Sequence, residues 1–158
     1  MSGPEAPVTI LDGLDEVRAA VGRDLGTSDW LTVTQEQVDL FAEATGDHQW
    51  IHVDVERATA ESPFGGPIAH GYLTLSLSNL FLPQIVEVRG VSAGLNRGTG
   101  KVRFPSPVPV GSRLRASARM EDATDVPGGV DTTIRITIER EGSDKPACVI
   151  ESLSRWLA

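Results

Sequence analysis

Cysteine is nearly missing from this chain. Cys148 stands alone, so no internal disulfide can form, and such usage fits a reducing compartment. No apolar run reaches the roughly 18 residues of a membrane span. The opening residues, Met1-Ser2-Gly3-Pro4-Glu5-Ala6-Pro7, have neither the basic start nor the apolar stretch of a signal peptide. These absences lead to the expectation of a cytoplasmic protein with no membrane segment. Basic residues are also scarce: 14 Lys and Arg face 22 Asp and Glu, a formal net charge of −8. That balance opposes general nucleic-acid binding, which depends on neutralising phosphates. Internal repeats and low-complexity tracts are absent as well.

What remains is an ordinary globular composition in 158 residues, the size of one domain. A chain of this length buries about 70% of its unfolded surface, enough for a true core. The charge is uneven along it. Arg97, Lys101, Arg103, Arg113, Arg115 and Arg119 fall in one window that holds no Asp or Glu. Such a segment within an acidic chain suits a small polyanion. A solvated sheet face paired with acids from elsewhere accounts for at least half of these residues.

Hydrophobic patterning divides the chain into a helical first half and a β second half. Residues 1–9 read as a loose tail. Leu11 to Val21 has the spacing of a short helix, and Trp30 to Val33 reads as a strand. Thr34 and Gln37 then form a capping box opening a helix whose apolar stripe is Val38, Phe41 and Ala42. Gly46 is placed to end that helix in a left-handed conformation. Val55 to Ala60 suits one or two helical turns. Tyr72 to Leu82 fits both a period-2 strand and a helical face of Leu73, Leu77 and Leu80. The leucines favour helix, so the segment is expected as a helix buried on most sides and stopped by Pro83. Val91 to Phe104 is rich in β-formers. In Arg113 to Met120, Leu114, Ala116, Ala118 and Met120 share one face. In Asp131 to Arg140, Ile134, Ile136 and Ile138 point inward, and Ala147 to Leu157 completes the strands. Strands joined by short turns after a helical half argue for an α+β domain with a sheet packed on a central helix.

Two stretches carry chemistry. Gly46-Asp47-His48-Gln49-Trp50-Ile51-His52-Val53-Asp54 sets a carboxylate and an imidazole five residues apart. They cannot share a regular helix face, so a turn eased by Gly46 must bring them together. Asp47 and His52 can then polarise one water, since ordinary pKa values of ~3.9 and ~6.5 suit acid/base work at neutral pH. The second stretch, Gly65-Gly66-Pro67-Ile68-Ala69-His70-Gly71, opens the apolar helix. Gly71, with no side chain to block approach, is a candidate amide donor to an oxyanion at a helix start; a simple cap is the alternative. His70 is expected as a loop or helix-entry residue. His48 reads as a structural or entrance residue, Asp54 as a cap for the next turn, and Trp50 as packing at the site wall or an interface. His48 and His52 would pair as metal ligands only on a helix. Gln49 stands where a zinc-protease motif needs Glu, so no metal is expected.

With these motifs the chain resembles the MaoC-like, or (R)-specific enoyl-CoA hydratase, family. Its signature runs Gly-Asp-x-Asn-Pro-aliphatic-His-x-Asp after an aromatic residue. Phe41, Gly46, Asp47, Ile51, His52 and Asp54 fit it, while Gln49 and Trp50 replace Asn-Pro, as in a subgroup that includes nodulation-protein-N-like members. Pro67-Ile68-Ala69-His70-Gly71 and Val102-Arg103-Phe104-Pro105-Ser106-Pro107-Val108 are similar to further family stretches. The resemblance spans roughly residues 28–157. It implies a single hot-dog domain over 28–158, a long central helix wrapped by an antiparallel sheet, after an N-terminal extension over 1–27. It also implies a homodimer joined through sheet edges, an active site near its interface and a substrate tunnel along the central helix.

The implied activity is hydration of a trans-2-enoyl thioester of coenzyme A, or of an acyl carrier protein, or the reverse dehydration. No cofactor is implied. Asp47 and His52 would be the catalytic dyad and Gly71 the oxyanion donor. Arg97, Lys101 and Arg103 are the candidates for the coenzyme A phosphates. A thioesterase on the same fold and a partner subunit of a heteromeric dehydratase are the alternatives.

Overall fold

The computed structural model describes residues 7–158. Its frame is an antiparallel sheet of β2 (Asp24–Thr27), β6 (Arg113–Val126), β7 (Gly129–Arg140), β8 (Cys148–Leu157) and β5 (Ala93–Arg103), hydrogen-bonded in that order. A short β3 (Leu31–Thr32) also pairs with β6. Strict alternation builds this sheet: with period 2, every second side chain lands on one face. Ala116, Ala118 and Met120 sit opposite Ile138, Ile136 and Ile134, and all six are buried. Each isoleucine contributes about 1.5–3 kcal/mol by leaving water.

The buried face of the sheet packs on a helix in two segments, α5 (Gly71–Ser76) and α6 (Ser78–Ile85). The helix was expected at Tyr72–Leu82, buried on most sides and ended by Pro83. Instead it runs to Ile85 with Pro83 inside it. Phe81 and Ile85 are fully buried, and their packing holds the last turn while the exposed proline faces outward. Burial is one-sided, since Tyr72 and Leu80 lie on the surface.

Of the other helices, α2 (Gln35–Thr45), α3 (Trp50–Val53) and α4 (Val55–Glu61) follow one another in the chain, and α1 (Leu14–Ala19) lies in the N-terminal region. The capping box forms as expected: the Gln37 amide donates to Thr34 Oγ1 at 3.2 Å, and the Thr34 amide donates to Gln37 Oε1 at 3.1 Å. Asp54 caps α4 by accepting from the Arg57 amide at 3.1 Å.

The N-terminal region differs from expectation. The tail expected over residues 1–9 falls mostly on residues 1–6, outside the described residues, and Thr9 already begins a strand, β1 (Thr9–Asp12). The helix expected over Leu11–Val21 shortens to α1 (Leu14–Ala19) because Gly13, at φ +90°, breaks the chain between them. β1 pairs in parallel with β4 (Val86–Arg89), and neither strand shows alternation long enough to read. Leu11, Val17, Ala20 and Leu25 enter the same core as the sheet.

Candidate active site

Phe41 and Thr45 come from α2, Asp47 from the turn after it, His52 from α3, and His70, Gly71 and Tyr72 from the start of α5. With Phe104 they line a cavity of about 580 Å³. The sequence brings them together through two local devices. Gly46 ends α2 at φ +82°, with its amide donating to the Ala42 carbonyl at 2.8 Å, and this reversal aims Asp47 back toward the helix it has just left. The loop 67–69 is then pinned from both sides. The Ile68 amide donates to the Ile51 carbonyl at 3.1 Å, and the Ala69 amide to the Val108 carbonyl at 2.8 Å.

His52 is half-buried, and its Nδ1 lies 2.7 Å from the Ile68 carbonyl oxygen. A carbonyl only accepts, so Nδ1 carries the proton and the Nε2 lone pair is free. His70 is 3% exposed, and its Nε2 donates to the Asp47 carbonyl at 3.0 Å. The two imidazoles stack, with ring centroids 3.9 Å apart and planes at 28°, and Phe41 packs on His70 at 4.9 Å. Among the described residues Asp47 Oδ1 meets only the Gln49 amide, at 3.4 Å, so the carboxylate keeps accepting capacity for a ligand. Asp47, His52 and His70 each offer an atom within 4.8 Å of the others. One water donating to two such groups at ~2.8 Å spans about 4.5 Å between them, a distance inside that limit.

The same three residues are those that could hold a metal ion. They would do so only after one ring turned out of the stack, because two imidazoles on one ion direct their nitrogens at a common point. The His48–His52 pairing weighed from sequence does not arise, since α3 starts at Trp50 and the exposed His48 lies 3.5 Å from Glu43.

At the start of α5, the Leu73 and Thr74 amides both donate to the His70 carbonyl, at 3.1 and 3.2 Å. The Gly71 amide has no such partner among the described residues, and the Phe104 ring lies beside its Cα. Phe104 was legible only as part of a family stretch, and His70 only as a helix-entry residue. The stack that brings His70 into the site joins residues 18 apart, which no local pattern reveals.

Outside the cavity, Trp50 is half-buried under the Arg57 guanidinium, 4.2 Å from its ring centroid. Four of the six cations in the basic window are paired: Arg113 with Glu141, Arg115 with Glu139, Arg119 with Asp24, and Arg97 with Asp131 at 2.6 Å. Asp131 is held below the usual carboxylate range by its hydrogen bonds from Arg155, with Arg97 adding to the effect. Lys101 and Arg103 are exposed on β5 without a carboxylate partner among the described residues, and Arg103 immediately precedes Phe104. Cys148 is fully buried, and burial pushes its thiol up to about 11, so it is no nucleophile for this site.

The family model described as MaoC like domain matches residues 16–141. A 3-hydroxyacyl-thioester dehydratase Z from Mycobacterium tuberculosis is 53% identical over 148 residues, covering 93% of this chain and 97% of that protein. Nodulation protein N of Rhizobium leguminosarum is 46% identical over 136 residues, covering 85% and 84% of the two chains. Among solved structures, a monoamine oxidase regulatory protein from Archaeoglobus superposes with a TM-score of 0.71 at 26% identity over 87% of this chain and 91% of that one. An (R)-hydratase from A. caviae does so with a TM-score of 0.69 at 24% identity, over 85% and 94%. The latter likeness speaks to the hot-dog fold alone.

Proposed function

The chain is a member of the MaoC-like domain family and a hydro-lyase, and we propose that it adds water to a trans-2-enoyl thioester to give the (R)-3-hydroxyacyl thioester, or runs the reverse dehydration. The observation that carries this reading is the Asp47–His52 pair, with polar atoms within 4.8 Å of each other, beside a Gly71 amide that has no partner among the described residues. In hydration, Asp47 and the His52 Nε2 lone pair hold the attacking water and draw off its proton as oxygen bonds to Cβ. The pair then gives that proton up to Cα, so that OH and H of one water are added and the pair returns to its starting state. The charge that develops on the thioester oxygen is met by the Gly71 amide, where a donor aimed at developing charge lowers the barrier most. Phe104 and Tyr72, in edge contact with ring centroids 6.4 Å apart, give the thioester an aromatic surface at the cavity mouth.

The carrier is coenzyme A or an acyl carrier protein. Lys101 and Arg103 are the contacts proposed for its phosphates, which their exposure on β5 and the adjacency of Arg103 to the cavity residue Phe104 support. Arg97, which the sequence reading grouped with them, would join only by leaving Asp131. The protein functions as a homodimer in this proposal, joined through the β5 edge.

The test is loss of enoyl-thioester absorbance with crotonyl-CoA and longer enoyl-CoAs, with chiral analysis of the product. The expected product is (R)-3-hydroxyacyl-CoA, with turnover reduced by about 10²–10⁴-fold in Asp47→Asn and His52→Ala. Free thiol in place of hydroxyacyl product assigns a thioesterase. Near-wild-type activity in either variant removes that residue from the dyad.

A further inference from the structure

We infer that His70 is a positioning residue for the catalytic pair: its Nε2–H holds the main chain of Asp47, and its ring fixes the plane of His52. This rests on the proposed roles of Asp47 and His52. It adds a third residue that touches both of them and no reacting atom.

Three observations carry it. First, the His70 ring bridges the two segments that supply the dyad. It donates to the Asp47 carbonyl at 3.0 Å and stacks on His52 at 3.9 Å. Asp47 and His52 otherwise share only the short turn 48–51, in which Gln49 and Trp50 stand where the family pattern has Asn-Pro. Proline fixes its own φ, and without it the turn lacks that restraint. The contact from His70 supplies an external one.

Second, the two rings are locked by bonds that complement each other. His52 donates from Nδ1 to the Ile68 carbonyl, and His70, which follows Ile68 after Ala69 alone, donates from Nε2 to the Asp47 carbonyl 23 residues back along the chain. A turn of either ring about its axis would break its bond and the stack together. His52 Nε2 is thereby kept pointed at the cavity. A base displaced by even 1 Å loses on the order of 100-fold in rate.

Third, His70 Nδ1 is buried and has no hydrogen-bond partner among the described residues. A buried acceptor left unpaired destabilises the fold. A ring present only to fill space, such as phenylalanine, would avoid that loss. The polar edge is therefore explained by the Nε2 bond to Asp47 and not by packing.

Two replacements separate the ring from its hydrogen bond. His70→Phe keeps an aromatic stack on His52 and removes the donor. His70→Gln keeps an N–H near the Nε2 position and removes the ring. Steady-state kinetics on crotonyl-CoA would be read as kcat and KM separately. The ¹⁵N shifts of the His52 ring, measured on the free protein by NMR, report its tautomer. The expected result for His70→Phe is a kcat lower by about tenfold to a hundredfold, with KM within about threefold. Gln would recover at least part of that loss. In the wild type, His52 Nδ1 would show as protonated, and the Phe variant would shift toward mixed tautomers.

A kcat within twofold of wild type for His70→Phe overturns the inference, as does a Gln variant no better than Phe. A rise in KM with kcat unchanged overturns it too, because a positioning role acts on the chemical step. Should the Phe variant fail to fold, the Gln variant decides: His52 shifts and kcat both at wild-type values would leave the ring's stack without a role. If wild type turns over no enoyl thioester, the hydratase reading falls, and the His52 shifts alone decide the role of His70.

Discussion

Gly71 is a glycine for space and not for backbone freedom. Its φ lies outside the left-handed region, yet a Cβ there would come within 3.3 Å of the Phe104 ring. The two obvious replacements therefore test different things. Gly71→Ala keeps the amide and asks Phe104 to give by a few tenths of an ångström. Gly71→Pro removes the amide at the first position of α5, where proline is well tolerated. The residue before it, His70, already has the extended ψ of 138° that a following proline requires. The expected outcome is a loss of about 10²–10³-fold in kcat for Pro and less than about tenfold for Ala, read from steady-state hydration. Equal losses would show that crowding against Phe104, and not the missing donor, is what matters. Asp47, His52 and Gly71 were each visible in the sequence as candidates because their chemistry is written in residue type and near neighbours. His70 was visible as a residue but not as a member of the site.

Among the elements, α2 does the aiming. It carries Phe41 and Thr45 into the cavity, and its two ends are fixed by residues that need no tertiary help: the Thr34–Gln37 box at the start and Gly46 at the end. Thr34→Ala removes the side-chain acceptor of the box, with an expected cost of about 1 kcal/mol. A urea midpoint shifted down without a change in slope would report it, while kcat measured well below the transition stays unchanged because Thr34 does not line the site. A fall in kcat at full folding would mean that the cap also positions the cavity wall. These caps were legible from sequence since every partner lies within four residues. The central helix was legible only in part. Its leucines announce a helix, but the extension through Pro83 depends on Phe81 and Ile85 meeting the sheet, and β1 pairing with β4 depends on contacts between residues 77 apart in the chain.

At the scale of the molecule, β5 is the exposed flank of the sheet. It has 11 residues, and among the described residues it pairs with β8 alone, which leaves its outer row of backbone donors and acceptors without a strand partner there. A long open edge is a template for another strand. Leu95 is 48% exposed on it, where an apolar side chain gains by being covered. The proposed homodimer uses this edge, and Leu95→Asp sets two like charges near the joint between copies. The expected result is a shift from dimer to monomer in sedimentation velocity at micromolar concentration, with the melting profile of the monomer preserved. A dimer unaffected by the change places the joint elsewhere.

The sequence by itself determined the local grammar: the β6 and β7 alternation, the capping box, the left-handed turn at Gly46, and the identity of the acid, the imidazole and the glycine on which the chemistry is proposed to rest. Each depends on neighbours within a few residues, where periodicity and turn preference act directly. The tertiary structure decided what those residues face. It committed Arg97 to Asp131 while leaving Lys101 and Arg103 free of a carboxylate partner among the described residues, carried the helix past Pro83, and laid His70 against His52. Each of these is a contact between segments distant along the chain. Burial and ion pairing set its energy, and no local pattern records it.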